Sequence, residues 1–177
     1  MKKKTIALVL ALVLIVGAAI GGTVAYLTDK TASVTNTFTI GKVDIDLTET
    51  QRTYKMIPGN TLDKDPKVTV TAGSEDSWVF VKVDKSTNLD TYISYTIATG
   101  WTALPGVDGV YYREYTSSTD AVDYPVLTDN KVTVKGTVTN ELMDSAVTTP
   151  PTLTFTAYAI QKANFSTVDA AWAEVSK

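Results

Sequence analysis

The chain has 177 residues, 16 basic and 19 acidic, with neither Cys nor His; disulfides and thiolate chemistry are therefore excluded, and the commonest general base and metal ligand is missing. The net charge is −3, and residues 1–25 hold three Lys and no acids, so the chain without them carries 13 basic and 19 acidic side chains, a net −6 that argues against a nucleic-acid partner. A hydrophobic content of 44% with nine Tyr excludes a wholly disordered chain, and the abundance of Val and Thr is β-rich.

Residues 1–25 read as an export signal. Lys2, Lys3 and Lys4 form a cationic n-region, residues 6–20 are apolar with Gly17 as the one break, and Thr23 and Ala25 are small enough for the −3 and −1 positions of a cleavage site. The apolar run is short for a membrane span unless it continues through Leu27. Cleavage after Ala25 is expected, leaving Tyr26 as the mature N-terminus, with cleavage after Tyr26 as the alternative. Residues 26–40 then form a Thr-rich N-terminal segment. It keeps apolar side chains at Leu27, Val34, Phe38 and Ile40 and is a possible donor strand for a sheet edge.

From Ser33 onward the apolar period is two, the signature of half-buried strands. Phe38 and Ile40 share one face, Val43, Ile45 and Leu47 share one face, and the parity flips at Gly41, predicting a bulge or a tight turn through Gly41 and Lys42. Asp44 and Asp46 fall on the opposite side, as a solvated strand face or, alternatively, as part of a calcium site, for which two carboxylates on one strand make an incomplete oxygen cage. Pro58, Gly59 and Asn60 signal a turn. Residues 67–72 alternate with Val68 and Val70 inward, and residues 73–76 predict a hairpin turn into the strand at 78–84. There Val79, Val81 and Val83 make the aliphatic face and Trp78 and Phe80 sit opposite, as in a core strand covered on both sides.

Residues 92–97 and 109–115 are further predicted strands. Tyr111, Tyr112 and Tyr115 are either a binding platform or rim aromatics with wet hydroxyls. Val126 and Leu127 are a short apolar pair, and Val132, Val134 and Val138 belong to a strand interrupted at Gly136. Pro150 and Pro151 exclude a central strand there. Residues 152–161 make the longest clean alternation. The period changes in the tail, where Val168, Ala171, Trp172 and Val175 share a helical face behind a capping-box spacing from Ser166 to Asp169, placing Trp172 against the sandwich.

Eight or so short strands without βαβ alternation predict an all-β fold, an antiparallel β-sandwich or jelly roll with a short C-terminal helix. Its expected organisation is a signal peptide at 1–25, the N-terminal segment at 26–40 and the β-sandwich domain at 41–177.

The run from Gly21 to Glu49 resembles the start of proteins exported through a SipW-type signal peptidase, the group that contains the TasA and camelysin (CalY) biofilm-matrix proteins of Gram-positive bacteria. The residues that carry the resemblance are Gly21-Gly22-Thr23, the step at Tyr26-Leu27, Asp29, Asn36-Thr37-Phe38, Gly41 and the alternation from Val43 to Leu47. Ile57-Pro58-Gly59-Asn60 and Ala157-Tyr158-Ala159-Ile160-Gln161 add to it later in the chain. The resemblance implies a secreted protein of the extracellular matrix or cell surface, processed by that peptidase and touching the membrane only through the uncleaved signal. It further implies self-association into fibres in which an N-terminal segment of one subunit completes the sheet of the next. The alternative is a monomeric surface-binding or adhesion module whose N-terminal segment pairs within its own sandwich.

No catalytic constellation accompanies these features, and no cofactor is expected. Camelysin-type relatives have been described as metallopeptidases, but a zinc hydrolase usually draws on His, commonly in HExxH, which this chain lacks. A Ser nucleophile would have only Lys as its base, and no Ser-Lys pair sits in a recognisable motif. The expectation is a non-enzymatic protein. Intact mass or N-terminal sequencing of the secreted protein is predicted to place the mature terminus at Tyr26; a retained Met1 in the membrane fraction would contradict it.

Overall fold

The computed structural model describes residues 41–177. In chain order its elements are β1 (Ile45–Thr48), β2 (Thr61–Asp63), β3 (Lys67–Val70), β4 (Ser77–Lys85), α1 (Leu89–Tyr92), β5 (Ile93–Ser94), β6 (Thr102–Ala103) and β7 (Val110–Tyr115). They continue with β8 (Val122–Pro125), β9 (Lys131–Val134), α2 (Asn140–Thr148), β10 (Leu153–Gln161) and α3 (Val168–Val175). All pairings among these strands are antiparallel, and they form three sheets of order β1-β3-β8, β10-β4-β7-β6 and β2-β9-β5. The fold is an all-β antiparallel sandwich with a short C-terminal helix.

The period-2 pattern of β4 explains the layering. Val79 and Val81, both fully buried, face Val68 and Val70 of β3 across one interior, together with Tyr115 and Val126. Trp78 and Phe80 point the other way, into a second cluster with Leu104, Val110 and Ala171 of α3. The two faces of one strand thus bury into two cores, and the second is covered by a helix as well as by loops. Trp172 lies where the tail's helical period places it, its ring 5.3 Å from Phe80 and 5.3 Å, edge-on, from Tyr158. The helix starts one residue later than the capping-box spacing predicts: Thr167 is the N-cap, its side chain accepting from the Ala170 N–H at 3.3 Å. A third cluster joins Leu89, Tyr92 and Ile93 to Val132 and Val134 of β9 and to Ala146 of α2. Phe155 and Ile97 pack on both this cluster and the sandwich interior.

Three expectations are corrected. The turn at residues 73–76 is not a hairpin, because β3 and β4 lie in different sheets. Gly73, at φ +74°, helps the chain arch across the core so that the two Val pairs face each other instead of lying side by side. Residues 92–97 are mostly not a strand: α1 ends at Tyr92, β5 is two residues long, and Ile97 makes a single bridge to Leu127. The apolar side chains there fill the third cluster through a helix-to-strand corner, which satisfies neither period cleanly. The strand containing Val132 and Val134 ends before Gly136, and Val138 instead precedes α2, whose Thr139 N-cap accepts from the Leu142 N–H at 3.4 Å. The parity flip at Gly41 rests on Phe38 and Ile40, which lie outside the described residues; at Gly41 itself a Cβ would stand 2.9 Å from the Glu75 side chain.

A closer approach occurs at Gly109, where φ is +72° and a Cβ would meet the Val83 carbonyl oxygen at 2.6 Å. The bare backbone lets the Val83 N–H donate to the Gly109 carbonyl at 2.8 Å and locks β7 onto β4.

Val81→Asp is predicted to abolish folding. Val81 is fully buried, and an unpaired carboxylate there costs several kcal/mol against a total domain stability of about 5–15 kcal/mol. Circular dichroism melting checks this; a melt within a few degrees of the parent chain would contradict it.

Candidate functional site

The two long flanks of the sandwich are closed by different means. On the β7/β8 flank, residues 95–104 cross from sheet to sheet and bond to both. The Ala98 N–H donates to the Val126 carbonyl at 2.9 Å, and β6 pairs with β7. The Trp101 indole N–H donates to the Pro125 carbonyl at 2.9 Å, and the Arg113 guanidinium lies 3.7 Å from the Tyr124 ring centre and 5.3 Å from that of Trp101. Burial lowers the Arg113 pKa from its ordinary value, which fits a cation stacked between aromatic faces.

On the opposite flank, β1 and β10 are both edge strands and lie close together. β10 shares the rank of longest strand with β4, nine residues each, yet among the described residues it is paired along one edge only. Phe155, Ala157 and Ala159 face the sandwich interior, and Tyr158 and Ile160 face the α3 side, where Thr154 and Thr156 precede them. A long edge of this kind is a template for another strand unless something covers it.

Residues 49–56 pass over the start of that edge, and a cavity lies on each side of them. One, of about 430 Å³, is lined by Arg52, Tyr54, Met56, Leu62, Ile93 and Leu153 among others. The second, of about 370 Å³, lies between Leu47, Glu49, Pro66 and Phe155, and the two share Arg52, Lys64, Leu153 and Thr154. These volumes fall in the range of small binding pockets, about 300–1,000 Å³.

A buried polar knot separates the two cavities. Lys64, the only buried lysine among the described residues, sits 2.5 Å from Glu49 Oε1, with side-chain exposures of 9% and 16%. The Tyr54 hydroxyl donates to the same oxygen at 2.7 Å and also reaches the Gln51 carbonyl. The Lys64 ammonium lies 4.9 Å from the centre of the Tyr54 ring and 5.4 Å from that of Phe155. Burial, then the hydrogen bond and charge of Glu49, push the Tyr54 phenol well above its ordinary pKa, so it remains a donor at every physiological pH. At the edge of the knot, Asp65 accepts from the Thr50 hydroxyl at 2.5 Å and from its N–H at 3.0 Å. Those bonds hold the Asp65 carboxyl below its ordinary pKa. The tie is therefore complete at neutral pH and is lost only as pH falls through the depressed folded value.

The sequence did not single out Lys64, Glu49 or Tyr54. Lys64 stands in the run Asp63-Lys64-Asp65-Pro66, which reads as part of a loop and carries no signal of burial. The residues that were singled out as a signal site, Thr23, Ala25 and Tyr26, and as a donor strand, Leu27, Val34, Phe38 and Ile40, lie outside the described residues. Tyr111, Tyr112 and Tyr115 do not form one platform. Tyr111 and Tyr115 pack toward the sandwich interior, with Tyr115 1% exposed, while Tyr112 meets Trp78 edge-on at 5.9 Å on the other face. Asp44 is exposed and 3.4 Å from Lys42. Among the described residues no three acidic groups converge as a metal cage would require, and no helix is long and apolar enough to cross a membrane.

No protein-family model, curated protein or solved structure matches the chain.

Lys64→Met is predicted to destabilise the domain by about 3 kcal/mol, the low end for breaking a buried pair, because Glu49 keeps some solvent contact. Adding Glu49→Gln should recover at least half of that loss by removing the stranded charge. Urea unfolding of the single and double variants checks both values; equal stability of Lys64→Met and the parent would show the pair to be energetically silent.

Proposed function

We propose that the chain is an exported structural subunit that assembles into extracellular fibres, with residues 26–40 of one copy adding as a strand to the next. The observation that supports this reading best is the nine-residue β10 edge, with apolar side chains on each face and unpaired on one side among the described residues. An extended segment gains affinity there from main-chain hydrogen bonds and specificity from alternate side chains entering pockets. Leu27, Val34, Phe38 and Ile40 supply such side chains, and the two cavities beside β10 supply such pockets. A contact from the front of one copy to the flank of another is heterologous, so it propagates a filament when it does not close on itself.

The resemblance of residues 21–49 to TasA- and camelysin-type proteins points the same way. It carries with it export through a SipW-type peptidase, a place in the matrix or at the cell surface, and a structural role without catalysis. A surface-binding module is the second reading. It is favoured by an open cavity of about 540 Å³ on another face, lined by Lys85, Asp90, Tyr95, Tyr111 and Lys135, a mixture of rings and charges suited to a polar ligand.

The mature chain from Tyr26 is predicted to form filaments visible by electron microscopy and to sediment as large species. A chain starting at Gly41 should stay monomeric, and a peptide covering residues 26–40 should bind it and raise its melting temperature. Identical filaments from the shortened chain would exclude strand donation, and a monomeric mature chain would favour the binding module.

A further inference from the structure

Residues 50–56 cover the open flank without joining either sheet. They make no backbone-to-backbone hydrogen bond to β1 or β10 among the described residues. The Thr50 N–H and hydroxyl go to the Asp65 carboxylate, the Gln51 side chain bonds to the Thr53 carbonyl within the same stretch, and Tyr54 reaches back to Glu49 and Gln51. Both ends are firm. Before the stretch, β1 pairs with β3; after it, the Gly59 N–H donates to the Val134 carbonyl at 3.0 Å. Between those anchors the stretch is held through side chains, by Asp65 on Thr50, at the Glu49–Lys64–Tyr54 knot and by half-buried Met56, which packs against the third cluster. Arg52, Thr53, Lys55 and Ile57 are exposed, Ile57 at 47%. A segment with few buried apolar contacts and no ladder bonds opens at low cost relative to the sheets it spans.

We infer that residues 50–56 are a displaceable strap that covers the start of the β10 edge in the unassembled subunit and swings away when residues 26–40 of a second copy pair there. This rests on the assembly reading above and adds a gate to it. Two observations carry it. The two cavities share Arg52, Lys64, Leu153 and Thr154, so lifting the strap merges them into one groove along the first residues of β10. An incoming extended segment also brings the backbone donors and acceptors that the strap withholds, so the exchange replaces side-chain ties by a β ladder. Tyr54 is the latch, because its hydroxyl joins the strap to the buried Glu49–Lys64 pair without being needed for that pair.

The test compares the mature chain from Tyr26 with its Tyr54→Phe variant, which keeps the ring stacked on Lys64 and loses only the hydroxyl. Loss of about one net hydrogen bond raises the open population roughly two- to tenfold. The variant should fold with nearly the parent's melting temperature, exchange amide hydrogens faster at residues 50–56, and polymerise with a lag shortened by a similar factor to the same final mass. In parent filaments, residues 50–56 should exchange faster than in the monomer and residues 153–161 slower. Filaments with an unchanged lag, or with residues 50–56 as protected as in the monomer, would overturn the strap and leave the assembly reading standing. Failure of both chains to polymerise would overturn the assembly reading, and the gate with it.

Discussion

Burial of β4 on both faces is the constraint from which the rest of the structure follows. Ser77 to Val81 are all buried, with Val79, Phe80 and Val81 at 0% exposure. Each fully buried Val or Phe side chain contributes about 1.5–3 kcal/mol, so neither face of this strand can be left wet. Its Val face requires a second sheet, which β1, β3 and β8 provide, and its Trp/Phe face requires a lid, which α3 provides. Its position between β10 and β7 also satisfies its backbone groups on both sides. In a chain with no Cys, this layered burial carries the work that disulfides perform in smaller secreted domains.

A sandwich that is closed in its interior still has two flanks, and their difference is the basis of the functional reading. On the β7/β8 flank the chain itself crosses between sheets, so backbone hydrogen bonds and an Arg113 stack seal it. On the β1/β10 flank the chain leaves β1, passes over the gap without pairing and continues into β2. Among the described residues the edge of β10 consequently keeps unpaired backbone groups beside apolar side chains, an arrangement that natural proteins blunt with charges, bulges or a covering segment. Here the cover is a stretch tied by side chains: the Glu49–Lys64 pair, the Tyr54 phenol, the Asp65 carboxylate and Met56.

That ion pair is costly to build and depends on its surroundings. Lys64 is desolvated among Tyr54, Phe155 and Leu153, and the carboxylate of Glu49, the faces of two rings and the nearby Asp65 compensate its charge. Such pairs add little net stability over apolar residues of similar size. What they supply is position: Glu49 must lie where β1 ends and Lys64 where β2 ends, which fixes the path of the stretch between them. The tie from Thr50 to Asp65, one residue further along on each side, repeats the same register.

The sequence by itself determined the all-β character, the alternation of β1, β3, β4 and β10, and the C-terminal helix with Trp172 on its inner face. Each is a local period of two or 3.6, and burial acts on it residue by residue. Tertiary structure alone decided what those elements were next to. Whether residues 73–76 make a hairpin or an arch depends on whether Val68 and Val70 meet Val79 and Val81 sideways or across the core, and both choices have the same period. The helices at 89–92 and 140–148 were illegible because their apolar residues serve a corner shared by a small sheet and two short helices, where no period runs long enough to read. The Glu49–Lys64–Tyr54 knot was hidden for a related reason. Its members lie on three separate segments that look solvated one by one, and only the approach of β1 to β10 takes the water away from them.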